Sequence, residues 1–241
     1  MIAIIRSNEI YSSPRIERCL DFFEKNSIEY LAIGWDRKGR KLKRKNTIFF
    51  KRKCGYNVGG MKAALYRFEW MFFLAFIFYK KRKSIDVIHA FDLDVAFPAT
   101  FFKVFFKKKI TIIFDVCDWF SATLFDQNFV IRFFFRQMEK FSIRNADEVF
   151  ICEPERIKQI PYSLRKKEII VPNIPYVSDY SFLIQRDELK FPNDRLTIAY
   201  VGSFNHQRVL LELFDVIEMG FVNLLIAGYG SPEIEDRCKE I

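Results

Sequence analysis

Cysteine and histidine are scarce. The five cysteines, Cys19, Cys54, Cys117, Cys152 and Cys238, are scattered, odd in number and never spaced C-x-x-C. That argues against a disulfide framework and for free thiols in a reducing compartment. Only His89 and His206 could add imidazole ligands, so no structural zinc site is expected. Long apolar runs are missing too. The longest, Trp70 to Tyr79, is about half of the roughly 20 residues that a bilayer span needs, and no transmembrane helix is expected. Met1 leads straight into Ile2-Ala3-Ile4-Ile5, too short for the apolar core of a secretory signal, so none is expected. No internal repeat is visible. Negative charge is in deficit: the net charge is +9, which favours an anionic partner such as nucleic acid, an acidic membrane surface or a phosphorylated ligand. Helix-turn-helix, RRM and KH signatures are all lacking, so nucleic acid is not expected.

What the chain does have is apolar residues, half of the total, with 29 phenylalanines among them. This excludes global disorder and supports a large core. Short apolar runs alternate with helical patterns, the mark of a parallel α/β sheet. Strands are expected at 2–6, 28–33, 47–51, 85–89, 110–114, 148–152 and 168–171. Helices are expected from Pro14, placed as N1 prolines are, to about Asn26, and at 61–83, 93–106, 129–144 and, briefly, 154–160. Residues 173–195 read as a linker between a Rossmann-like domain over 1–172 and an incomplete second one over 196–241. The latter has strands at 196–201 and 222–227, a helix at 208–219, a closing Gly228-Tyr229-Gly230, and a last helix opening at Ser231 or Pro232. Two parallel strands covered on one side form a weak folding unit, so the natural protein is expected to be longer or to borrow a surface.

Several segments, in order, resemble the retaining glycosyltransferases of family 4, which have the GT-B fold. Ser13-Pro14-Arg15-Ile16-Glu17 looks like the segment that opens their acceptor domain. Leu31-Ala32-Ile33-Gly34-Trp35-Asp36 looks like their second strand and its exit. Asp86-Val87-Ile88-His89-Ala90-Phe91-Asp92-Leu93-Asp94 is similar to D-V-I-H-A-H-D. Phe114-Asp115-Val116-Cys117-Asp118 matches D-x-H-D, with Cys117 where the family usually has His. Glu139-Lys140 and Asn145-Ala146-Asp147-Glu148-Val149 follow the E-R/K … A-D-x-V pattern. Val171-Pro172-Asn173, Ala199-Tyr200-Val201-Gly202-Ser203 and Leu225-Ile226-Ala227-Gly228-Tyr229-Gly230 complete the set. The family's acidic E-x₇-E segment has no counterpart before Ile241.

The resemblance implies an α/β GT-B fold and transfer of a sugar from a nucleotide sugar, a UDP- or GDP-sugar, with retention. Such a reaction needs a recognised diphosphate, stabilisation of its growing charge and a hydroxyl held in line. Gly202 and Ser203, read as a strand-to-helix turn, would bring backbone N–H groups to phosphate, and Arg208 would add a cation; an ordinary turn with a solvated arginine is the competing reading. Gly228 and Gly230 are donor-side candidates because the second glycine of this pair lies near the donor in the family; taken alone the pair is a tight turn. Cys117 and Asp118 are the catalytic candidates: the resemblance puts Cys117 where the family's His lies close to the transferred sugar, and Asp118, in the loop at the strand's carboxyl end, is placed to bind a sugar hydroxyl. A thiol donates only weakly and carries no imidazolium charge; a small buried residue and a helix-capping aspartate are the alternatives. Ser7, Asn8, Arg15, His89, Asp92 and Asp94 are the acceptor-side candidates, with Arg15 placed for an acceptor phosphate and a capping role open for Asp92 or Asp94. No metal and no cofactor are expected: basic side chains and helix dipoles neutralise the leaving group in the family.

Three stretches mix large aromatics with cations: residues 61–83, Phe101 to Lys109, and Arg132-Phe133-Phe134-Phe135-Arg136. Taken alone, residues 68–79 read as a buried core helix. Together the three suit a membrane interface and anionic lipid. The expected function is therefore sugar transfer to a glycan or lipid-linked acceptor in cell-surface polysaccharide assembly, in the cytoplasm and peripheral to the inner face of the cell membrane. The alternative is a truncated, non-catalytic homologue that binds an acceptor or a membrane.

Overall fold

The computed structural model describes residues 1–8, 10–41, 43–54, 60–106, 109–123, 129–160, 162–164, 168–174, 195–204 and 210–240. The chain divides into two compact units, Met1–Pro175 and Tyr176–Ile241.

The first unit is built on seven parallel strands: β1 (Ile2–Arg6), β2 (Tyr30–Trp35), β3 (Thr47–Phe50), β4 (Val87–Phe91), β5 (Thr111–Val116), β6 (Glu148–Ile151) and β7 (Glu168–Ile170). Their order is β3-β2-β1-β4-β5-β6-β7, every neighbouring pair parallel. The connecting helices are α1 (Pro14–Lys25), α2 (Gly60–Lys80), α3 (Leu93–Phe105), the short α4 (Phe120–Thr123) and α5 (Phe129–Asn145). The expected short helix at 154–160 is a 3-10 segment, Pro154–Gln159.

Strand periodicity fixes which residues face which helices. Ala3 and Ile5 of β1, with Leu31, Ile33 and Trp35 of β2, belong to the core shared with α2, α3 and α5. Ile4, Tyr30 and Ala32 point the other way and pack on Ile16, Leu20 and Phe23 of α1. Both faces are covered, as a parallel sheet requires. Trp35 stacks on Trp70 of α2 with centroids 5.8 Å apart.

Helix α2 departs from the buried-helix reading of residues 68–79. Trp70, Leu74, Ile77 and Phe78 form one buried stripe, whereas Phe68, Phe72, Phe76 and Tyr79 are exposed. A helix on one side of a sheet has only one face to bury, however apolar the rest of its surface is. The same holds for α3, with Phe101 and Phe105 exposed and Phe106 exposed just after its end, and for α5, with Phe129, Phe133 and Phe134 exposed. Helix α3 packs against both α2 and α5.

The second unit pairs β8 (Leu196–Phe204) with β9 (Val222–Gly230) in parallel and adds α6 (Leu210–Glu218) and α7 (Pro232–Glu240). Phe204, Leu210, Phe214 and Ile234 are its buried centre. Val201, Leu225 and Tyr229 are exposed, as expected where helices cover one face of a two-stranded sheet.

Candidate functional site

In a sheet with this order, the crevice for ligands lies beyond the carboxyl ends of the strands where the order reverses, between β1 and β4. Arg6 ends β1 and Asp92 follows β4. A cavity of about 280 Å³ opens there, lined by Arg6, Ser7, Asn8, Arg37, Arg67, Asp92, Asp94 and Asp118, with Met71, Leu93, Phe120 and Phe135 as apolar wall. A second cavity of about 320 Å³ shares Arg6 and Asp118 and adds Arg15, Cys117, Cys152, Arg156 and Asn173. The two form one polar trough.

Local chemistry sets each position. Ser7 and Asn8 cross the end of β2, where the Asn8 carbonyl accepts from the Trp35 N–H at 3.1 Å. Gly34 makes the crossing possible, since a Cβ there would lie 3.1 Å from Ile10 and 3.3 Å from the Asn8 oxygen. Buried Asp36 accepts the backbone N–H groups of Arg40 and Lys41, both at 2.9 Å, and so shapes the loop that carries Arg37. The Arg37 guanidinium rests 4.4 Å from the Trp35 ring centroid.

Asp92 occupies the position before α3, yet its side chain makes no capping hydrogen bond, and its backbone sits at φ 67°, ψ 166°. That region is nearly glycine-only and costs on the order of 1–3 kcal/mol. The carboxylate is 3.7 Å from Arg6 and accepts a hydrogen bond from the Cys117 thiol. Burial, then the neighbouring Asp94 charge, raises its carboxyl to about 6. The Cys117 thiol is pushed up to about 12, first by burial and then by Asp92. It stays protonated at neutral pH and is a donor to Asp92, not a nucleophile. Asp94 is buried and 3.3 Å from Arg67; its Oδ1 is buried and has no hydrogen-bond partner among the described residues.

The raised Asp92 value has a measurable consequence. A carboxyl that holds its proton more tightly folded than unfolded contributes stability that is full below its ordinary value near 3.8 and lost as pH rises through about 6. Thermal melts from pH 4 to 7 should therefore show a fall for the wild type that Asp92→Asn lacks. Parallel profiles would refute the assignment.

His89 lines neither cavity. Its Nε2 meets Asp115 Oδ2 at 2.9 Å, and its ring stacks on Phe91. Asp115 also receives Arg15, whose Nε donates to Oδ2 at 3.1 Å and whose second guanidinium nitrogen lies 3.0 Å from Oδ1. Arg15 further donates to the Val171 carbonyl at 2.9 Å. Arg15, Asp115 and His89 thus form a buried tie between α1, β5 and β4, and His89, expected on the acceptor side, is structural in its contacts. Arg15 keeps one edge on the second cavity.

Asp118 is exposed and pairs with Arg156 at 2.6 Å, not with the start of the next helix. That helix is held by Glu139, wholly buried, whose carboxylate accepts from the Ser121 N–H at 2.9 Å and from the Ser121 and Tyr162 hydroxyls.

The donor-side residues are placed differently from expectation. Gly202 and Ser203 lie inside β8, and Gly228 and Gly230 inside β9, with Gly202 opposite Gly228 and Phe204 opposite Gly230. They are strand residues, not turns. The strands run on to Phe204 because its side chain is buried in the unit's core. A Cβ at Gly228 or Gly230 would strike the Gly202 or Phe204 backbone, so these glycines serve close strand approach. Arg208 lies outside the described residues.

Arg6, Arg37 and Arg67 were not singled out from the sequence. Arg6 carried a signal, as the last residue of the first strand; Arg37 and Arg67 carried none beyond a basic segment and a long helix.

No protein-family model matches the sequence, and no curated protein matches it. Solved structures do. Sucrose-phosphate synthase from Thermosynechococcus elongatus aligns with 99% of the chain at 15% identity and TM-score 0.64. The lipopolysaccharide outer core galactosyltransferase WaaB aligns with 99% at 19% identity and 0.57. UDP-GlcNAc 2-epimerase from Neisseria meningitidis, bound to UDP-GlcNAc, aligns with 100% at 10% identity and 0.54. The chain spans 66%, 64% and 68% of their respective lengths, and 65% of two further matched chains. The architecture is α/β of the GT-B kind: a seven-stranded Rossmann-like unit followed by part of a second.

Proposed function

We propose that the protein is a glycosyltransferase that moves a sugar from a UDP- or GDP-sugar to a hydroxyl of a glycan or lipid-linked acceptor, in the manner of the retaining family 4 enzymes. The observation that carries the reading is the polar cavity at the β1/β4 switch point, where three arginines face three aspartates. Sugar hydroxyls donate to carboxylates and accept from guanidinium groups, and the mixed lining supplies both. In this reading Asp94 and Asp92 hold the incoming hydroxyl, with Arg6 and Arg37 orienting the acceptor. Asp118, Ser7 and Asn8 complete the wall. The protonated Cys117 thiol leaves the trough without a thiolate nucleophile, in keeping with departure of the diphosphate and entry of the hydroxyl on one face of the sugar. The leaving diphosphate is neutralised by basic side chains and helix N-termini, without a metal.

The proposed setting is the cytoplasmic face of the cell membrane, in cell-surface polysaccharide assembly. Exposed aromatics on α2, α3 and α5 and the Lys80-Lys81-Arg82-Lys83 run suit peripheral contact with an anionic bilayer. No described helix is long and apolar enough to cross a membrane.

A second reading, an acceptor- or membrane-binding module without catalysis, is favoured by one observation: the glycines expected at the donor are consumed in strand pairing. The native gene product, incubated with UDP- and GDP-sugars and extracted membrane lipids, separates the two. Acceptor-dependent release of UDP or GDP supports transfer. Binding of lipid with no nucleotide released supports the module, and an isomerised nucleotide sugar would contradict both.

A further inference from the structure

A groove of about 360 Å³ runs between α2 and α3, with no charged residue among the described residues of its lining. Phe72, Tyr79, Phe101 and Phe106 wall it, and Ala75 leaves it open. From Phe68 to Tyr79 the groove follows α2 for roughly 16 Å, at 1.5 Å per residue. Soluble monomers seldom leave so contiguous an apolar surface in water without use for it. Met71 lines this groove and also the arginine–aspartate cavity, so the apolar channel and the polar cavity meet at one side chain. Asp94 lines the same polar cavity, and its buried Oδ1 has no hydrogen-bond partner among the described residues. A polar cavity lined by carboxylates and guanidinium groups, beside a long apolar trough, is the complement of an amphiphile.

We propose that the α2–α3 groove seats the hydrocarbon chain of a lipid-linked acceptor whose hydroxylated head occupies the adjoining cavity. This rests on the reading of that cavity as the acceptor site. The groove opens on the exposed aromatic face, so a chain enters it from a bilayer against which that face lies, and the head is delivered to Asp92 and Asp94. The chain sets affinity by buried apolar area, and the cavity sets which head is held.

The test titrates n-alkyl glucosides of increasing chain length, below their micelle-forming concentrations, into the full chain by calorimetry. Affinity should rise on the order of tenfold for every two methylenes until the groove is full. Ala75→Trp, at an exposed helix position, fills the groove and should weaken dodecyl glucoside about tenfold or more while leaving butyl glucoside unchanged. Phe72→Ser, which removes a wall, is the second variant and should weaken only the long-chain probe. Affinity independent of chain length overturns the proposal, as does chain-length dependence that survives in both variants, which would put the chain elsewhere. The probes need no nucleotide sugar. A failed transfer reaction with intact chain-length dependence therefore counts against the glycosyltransferase reading alone, and working transfer without chain-length dependence counts against the groove alone.

Discussion

Replacing Asp115 with alanine lowers the unfolding free energy of the first unit by about 3–5 kcal/mol, the usual effect of removing one partner from a buried charge network. Asp115 is 1% exposed and is the shared partner of Arg15 and His89. Without it the Arg15 guanidinium, reaching in from α1, loses its counter-charge, and His89 loses its only carboxylate partner among the described residues. A domain stabilised by about 5–15 kcal/mol cannot absorb that easily, so the variant should unfold at markedly lower urea and lose the docking of α1. Asp115→Asn, which keeps the shape and one acceptor oxygen, should fall between the two. A loss under about 1 kcal/mol for alanine would mean that water already screens the network, as at an exposed pair.

The second large effect concerns the outer helical layer. Phe72 and Phe105 are 75% and 62% exposed, so changing both to serine should leave the fold within about 0.5 kcal/mol of wild type. Binding to vesicles containing anionic lipid should fall by about 100-fold or more, because each phenylalanine buried in the interface contributes roughly 1.5–3 kcal/mol. Exchanging Lys80, Lys81, Arg82 and Lys83 for glutamine should weaken binding by about 1 kcal/mol for each charge, and only where anionic lipid is present. High salt should erase this second loss and spare the first. Equal wild-type binding to neutral and anionic vesicles, or no change in the double serine variant, would refute the surface.

The alternation of strands and helices was legible because each strand is a short apolar run and each helix follows at a regular interval. The residues flanking the switch point, Ser7, Asn8, Asp92 and Asp94, could be placed from that order, and they do meet in one cavity. Arg37 and Arg67 could not: one arrives through the Asp36-braced loop and the other from a helix 27 positions before its partner Asp94, contacts that no local period reveals. The outward aromatics of α2 were illegible for a related reason. When both faces of a helix are apolar, the pattern no longer says which one is buried. The glycines of the second unit show the opposite failure. Gly202 and Gly228 look like turn punctuation in one dimension, and only the pairing of β8 with β9 shows that they face each other. Asp115 stood inside a recognised motif, but its partners are 100 and 26 positions away in sequence, beyond what spacing conveys.

The most direct measurement is the pair of Michaelis constants, for acceptor and for nucleotide sugar, in the native gene product and its Asp94→Asn variant, with thermal melts to confirm that both fold. If the cavity at the β1/β4 switch point holds the acceptor, the loss of the Asp94 carboxylate raises the acceptor KM by about tenfold or more, the cost of a hydrogen bond to a charged group, and leaves the nucleotide-sugar KM unchanged. An unchanged acceptor KM, or a change confined to the nucleotide sugar, would contradict that placement.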